Sequence, residues 1–319
     1  MKKSASILIL FIVCPIVLFT QQQPPRFDKP GTFTILSRTN YTLPECGFTK
    51  AEMTANLQKI TDVVNAVRKN PVLSDIVGFE GRARIYNTLM CTESGGYGVP
   101  SRISFEFCTW YLTRDGREEL GTIEPPEWSL IINRLKPNTG YQFSESSFSG
   151  GYFSVPFKKE TIERGIDVYD GECYVLYNPD RSPYWLPVTV KEAYDALRKT
   201  WEDHTDKVAS ASMLQLIEKE YAKIPESEIN NPASGIFPPS VFNPENEYPP
   251  LLRINPEYWD RSLPKSAVQF IYFRSVPNKE YYRKLKEERK IFDSDYHLLH
   301  FQEMFDMDDI HSLVPLIEK

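Results

Sequence analysis

Apolar residues recur after Thr49 as Met53, Leu57, Ile60, Val64 and Val67, at spacings of four, three, four and three. That is the period of a helix with one buried face. Thr49 and Glu52 form a capping box in front of it, Phe48 and Met53 stand at staple positions, and Asn70-Pro71 closes it. From Phe79 to Tyr177 the period drops to two. Ile103, Phe105, Phe107 and Tyr111 share one face of a strand, Ser104, Glu106, Cys108 and Trp110 the other, and Arg114-Asp115-Gly116 turns the chain back. Trp128–Asn133, Tyr141–Phe143, Gly151–Phe157 and Glu172–Tyr177 are further strand-like runs, with a hairpin turn at Ser149-Gly150-Gly151. The pattern predicts an antiparallel meander packed on the first helix.

The stretch Cys173–Leu197 separates this β-rich half from a helical one. A strand runs to Tyr177, Asn178-Pro179-Asp180 stops it, and Pro183 and Pro187 hold Tyr184-Trp185-Leu186 extended. Thr189 and Glu192 then cap a helix whose stripe is Val190, Tyr194, Leu197, Trp201, His204 and Val208, resuming at Leu214, Ile217, Tyr221 and Ile224 after a break near Ala209–Ser212. Nine prolines between Pro225 and Pro264 exclude helix and central strand there, and the aromatics among them predict an ordered coil wrapping the body. Ala267–Arg274 is a strand that completes the sheet, Asn278–Phe292 a basic helix, and Ser294–Lys319 one or two helices with acidic residues.

The expected class is therefore α+β: an N-terminal helix on an antiparallel β-meander, then a helix-rich C-terminal half with one further strand. Residues 1–20 read as a signal peptide, 21–187 as the helix-plus-sheet region, and 188–319 as a helix-rich region with the coil at 225–264, either separate or one continuous domain with 21–187. Lys2 and Lys3 precede an apolar Ile7–Phe19, which places the protein outside the cytoplasm, secreted or periplasmic, with an uncleaved membrane anchor as the alternative. Val13 is too bulky for lipidation at Cys14. Removing residues 1–20 takes two lysines and no acids, leaving 35 basic against 43 acidic residues, a balance that argues against nucleic acid or an anionic membrane as the main partner.

Cys46, Cys91, Cys108 and Cys173 remain, enough for two disulfides in an oxidising compartment. A hairpin of Arg82–Cys91 with Ile103–Leu112 sets Cys108 opposite about residue 85, which disfavours a bridge to Cys91 in that register, though a slipped or longer loop would revive it. Thiol zinc spacing is absent, as are phosphate-cradling, dinucleotide, nucleophile-elbow and zinc-protease motifs, and no cofactor is implied. His297, His300 and His311, among Asp295, Asp306, Asp308 and Asp309, are weak metal candidates; a metal-dependent hydrolase using them is the alternative function. Glu106 shares a strand face with Cys108 and Trp110 and reads best as a half-solvated sheet residue. The leading reading is a non-catalytic binding or structural protein that engages a polysaccharide or protein partner through loop aromatics Tyr184, Trp185, Tyr248, Tyr258 and Trp259, with Tyr97 in the Gly-rich loop nearby. Packing of these same rings under the proline coil is the competing reading.

Overall fold

The computed structural model describes residues 29–38, 47–87, 97–135, 152–154, 159–169, 172–235, 237–245, 248–275, 278–288 and 295–318. The expected signal segment, Cys46, Cys91, the Tyr141–Phe143 run and the Ser149-Gly150-Gly151 turn lie outside these residues. Among the described residues no helix is long and apolar enough to cross a membrane.

Twelve strands are described: β1 (Phe33–Arg38), β2 (Phe79–Asn87), β3 (Ser101–Leu112), β4 (Glu118–Leu120), β5 (Glu127–Ile132), β6 (Phe153–Ser154), β7 (Lys159–Glu163), β8 (Ile166–Tyr169), β9 (Cys173–Tyr177), β10 (Trp185–Pro187), β11 (Leu251–Ile254) and β12 (Phe270–Arg274). The helices are α1 (Lys50–Val67), α2 (Pro71–Ser74), α3 (Val190–Glu202), α4 (Lys207–Tyr221), α5 (Lys279–Glu287), α6 (Tyr296–Met304) and α7 (Met307–Leu313). The chain is thus α+β, with a large, mainly antiparallel sheet ordered β1-β2-β3-β5-β12-β9-β8-β7, β4 pairing on β3, and a small sheet ordered β10-β11-β6.

Two features depart from a plain meander. β1 pairs with β2 in parallel, and β12 lies between β5 and β9 rather than at an end of the sheet. The C-terminal half therefore supplies the middle of the sheet. Pairing across so long a chain separation leaves no local trace in sequence, whereas coverage of both sheet faces does. Ile271 and Phe273 enter the core beneath the helices, while Phe270 and Tyr272 enter a second core on the opposite face. A strand covered on both sides loses its alternation, which is why Phe270–Phe273 is uniformly apolar. In β2 the exposure alternates strictly, because one face meets the helices and the other carries Glu80, Arg82, Arg84 and Tyr86.

On the helix side, α1, α6 and α7 pack over Ala83, Ile103, Phe105, Trp128 and Phe273. Trp128 is the hub. Its ring lies 4.9–5.5 Å from those of Phe105, Phe273, Phe301 and Phe305, and its indole N–H donates to the Arg274 carbonyl at 2.8 Å. α1 starts at the expected capping box: the Thr49 hydroxyl accepts from the Glu52 amide at 3.2 Å and the Glu52 carboxylate accepts from the Thr49 amide at 2.7 Å. Asn70 then ends one helix and caps the next, accepting from the Val72 amide at 3.1 Å.

The second helical stripe is interrupted earlier than its pattern suggests. α3 ends at Glu202, and Asp206 caps α4 by accepting from the Val208 and Ala209 amides. Val208 consequently points outward, 80% exposed. The proline-rich coil also differs from expectation, since Leu251–Ile254, enclosed between prolines, is the central strand of the small sheet. The β2–β3 register sets Cys108 opposite Glu80, not near residue 85. Cys108 is a buried free thiol and Cys173 is buried as well, so the up to two disulfides that four cysteines allow do not both form. Glu106 is buried in a two-pronged pair with Arg84 at 2.5 and 2.9 Å.

Candidate functional site

The Pro183–Pro187 corner is the edge strand β10, paired to β11 with Trp185 opposite Ile254. That pairing turns both rings of the corner inward: Tyr184 and Trp185 are 4% and 7% exposed, and Tyr258 and Trp259, in the turn that follows β11, are 1% and 5%. All four belong to the core on the sheet face opposite the main helix layer. The Trp185 indole donates to the Leu135 carbonyl at 2.6 Å and the Tyr258 hydroxyl to the Gln269 carbonyl at 2.6 Å. Their polar tips are thereby satisfied inside the protein, as buried Trp and Tyr require. An exposed stacking surface made of these four rings is corrected to a packed interior. Tyr97 is also partly buried against this core, with Arg261 over its ring at 4.4 Å.

Beneath the corner lies a carboxylate with no solvent exposure. Asp167 of β8 accepts hydrogen bonds from Tyr184, from Thr161 at 2.7 Å and from Tyr177 at 3.3 Å, and it pairs with Lys159 at 2.7 Å. The Tyr169 and Tyr184 hydroxyls are 2.8 Å apart. Burial pushes the Tyr177 phenol up to about 12 and those of Tyr169 and Tyr184 further, so all three stay protonated donors. A buried carboxylate is tolerated when it is paired and its lone pairs are used. The cluster is arranged to pin β7, β8, β9 and the corner together.

The histidines fall into separate environments. His297 is 3% exposed and stacks on Phe79 at 4.5 Å; burial lowers its pKa to about 3, with His300 adding to the effect. His300 stacks on Tyr282 at 5.6 Å and is lowered by burial and by Lys286, against the pull of Glu303. His311 instead meets Glu163 at 2.9 Å. Among the described residues no group of three or more His, Cys, Asp or Glu side chains is placed to hold a metal ion. His204, expected on an apolar helical stripe, lies past the end of α3, where its ring accepts from the Asp206 amide at 3.1 Å. The surface pocket between α5 and α6, about 540 Å³, is lined by Lys279, Arg283 and Lys286, with Glu287 and Glu303 balancing them.

What remains open is the segment that enters β11. Gly235 donates to the Pro249 carbonyl and Leu251 to the Ala233 carbonyl, at 2.9 and 2.8 Å, while the Ser234 amide donates to Ser240 at 2.9 Å. Farther round, the Phe242 amide donates to Pro232 at 2.7 Å. These bonds tie 232–235 to Ser240, Phe242 and 249–251. Two aromatic-Pro-Pro triplets stand on this segment, Phe237-Pro238-Pro239 and Tyr248-Pro249-Pro250, and their rings are 40% and 45% exposed. Tyr248 was legible as a proline-framed aromatic. Phe237 carried the same signal, an aromatic ahead of two prolines. Because Gly235 is bonded to Pro249, the Phe237 and Tyr248 Cα atoms stand within roughly 16 Å of one another by chain reach. Comparison with protein-family models, curated proteins and solved structures finds no match for this chain.

Proposed function

We propose that this is an exported, non-catalytic binding or structural protein that engages a polysaccharide or a protein partner through Phe237 and Tyr248. One observation carries the reading: two large aromatic rings stay exposed on a segment tied together by hydrogen bonds. Proline restricts the backbone of the residue before it as well as its own, so the backbone that carries each ring has less freedom left to lose on binding. Large aromatic rings, with only two side-chain torsions to fix, give large contact area at low entropic cost.

The buried aromatics act as the foundation of this surface. Pro250 leads directly into β11, β11 pairs with β10, and Trp185 of β10 is locked in the core with Tyr184, Tyr258 and Trp259. Arrays of immobilised glycans and of tiled peptides, probed with the wild-type protein and with Phe237→Ala/Tyr248→Ala, test the proposal. Signals that vanish in the double variant, at unchanged thermal stability, support it. Signals that persist unchanged place the contact surface elsewhere.

A further inference from the structure

The main sheet ends in two edges of opposite character. At one end β7, Lys159-Glu160-Thr161-Ile162-Glu163, is fully exposed, three-fifths charged, and broken in register between Thr161 and Glu163. Charges and a bulge are the usual means of preventing strand addition. At the other end β1, Phe33-Thr34-Ile35-Leu36-Ser37-Arg38, runs in unbroken register with β2 from Phe33 opposite Gly81 to Arg38 opposite Tyr86. It carries no proline and a single charge, at its last residue. No described strand pairs with its outer side.

The parity of that outer side is fixed by one bond. Gly81 donates to the Thr32 carbonyl at 2.9 Å, so even-numbered residues of β1 turn their backbone groups to β2, and Phe33, Ile35 and Ser37 turn theirs outward. Phe33 and Ile35 are also the residues whose side chains pack against the core under the helices.

We propose that β1 pairs antiparallel with β1 of a second copy of this chain, Ile35 opposite Ile35, forming a two-fold symmetric dimer with one continuous sheet. In this register Phe33 faces Ser37 of the second copy, Ile35 faces Ile35, and Ser37 faces Phe33. All outward N–H and C=O groups of the three residues are then used, giving six hydrogen bonds in the order an antiparallel ladder demands. The same register sets Ile35 on Ile35 on the helix side, where both are already half-sheltered, and Thr34 on Leu36 of the second copy on the other side, so no apolar side chain meets a charge. A shift by one residue would pair inward-facing with outward-facing groups. A two-fold axis makes the contact self-limiting: among the described residues the main sheet offers one such edge per copy, since β7 is guarded.

Light scattering after gel filtration, together with copper-catalysed cross-linking of single-cysteine additions, tests this. Opposed hydrogen-bonded residues have Cα atoms about 5.5 Å apart, within disulfide reach, so Ile35→Cys should give a covalent dimer. Leu36→Cys should not, because its counterpart lies two residues along, roughly 8 Å away. Both variants are made in a Cys46→Ser/Cys91→Ser background, and Cys108 and Cys173 are buried. Ile35→Pro removes an outward N–H without touching the β2 ladder; with two hydrogen bonds lost per dimer it should raise the dimer dissociation constant about tenfold or more. A wild-type protein that is monomeric at 100-micromolar loading (about that scale suffices for a weak dimer), equal cross-linking of both cysteine variants, or a dimer indifferent to Ile35→Pro would each overturn the proposal. Should Ile35→Pro not fold, the cysteine pair decides alone.

Discussion

Acidification should weaken the fold through His297, and by a calculable amount. The imidazole is 3% exposed and lies on the Phe79 ring. Burial first, and the neighbouring His300 second, lower its pKa from 6.5 to about 3. In the unfolded chain the ring takes up a proton below about 6.5, while in the folded protein it stays neutral down to about 3. The unfolded state thus binds the extra proton throughout that window, so stability is complete above pH 6.5 and falls as the pH drops. The slope is about 1.4 kcal/mol per pH unit, which makes the loss between pH 6.5 and 4.5 about 2–3 kcal/mol from this residue alone. His300, lowered in the same direction, adds to it; Asp309, whose carboxyl is raised by burial, works against it. Comparison with His297→Phe, which keeps an aromatic ring on Phe79 and removes the titration, cancels both. Urea unfolding followed by tryptophan fluorescence at pH 7.0, 6.0, 5.0 and 4.5 reads the difference. The wild type should lose stability more steeply than the variant by the amount given; parallel pH profiles would refute the account of a neutral, enclosed His297.

Other substitutions probe the two cores. Trp128→Ala removes the ring shared by four phenylalanines and takes one donor from the Arg274 carbonyl, and should cost about 3–5 kcal/mol in denaturant unfolding; a loss under about 1 kcal/mol would contradict its central place. Tyr184→Phe takes one donor from the unexposed Asp167 and should cost about 1–3 kcal/mol, a cost that falls when Asp167→Asn is added. If the single change is neutral, the tyrosine cluster does not pin the corner. Cys108, whose thiol is pushed up by burial, and Cys173 should resist a thiol reagent in the folded state and react on unfolding; rapid labelling without denaturant would speak against their placement.

Local chemistry announced local structure. Thr49 with Glu52 and Thr189 with Glu192 are capping boxes in sequence and in space, since their partners are three residues apart. Ala267–Arg274 read as a strand completing the sheet, yet nothing local named its neighbours, because β5 and β9 are distant in the chain. β7 escaped notice because Lys159–Glu163 is an exposed, charged edge with no alternation to detect. The candidate aromatics divided for a similar reason. A ring within a proline-rich stretch reads the same whether it is enclosed, as Trp185 and Trp259 are, or open, as Tyr248 is. What separates them is β11, four residues between two prolines, too short for a period to show.

Affinity for the strongest array ligand, measured by titration calorimetry for the wild type, Phe237→Ala/Tyr248→Ala and Tyr111→Ala, tests the binding proposal most directly. Tyr111 is another exposed aromatic, on β3, and serves as the control. Loss of two stacked rings should weaken binding by about a hundredfold, at about 1–2 kcal/mol per ring, while Tyr111→Ala leaves it unchanged. Equal affinity in the wild type and the double variant, or a larger loss in Tyr111→Ala, would contradict the assignment of the 234–250 surface.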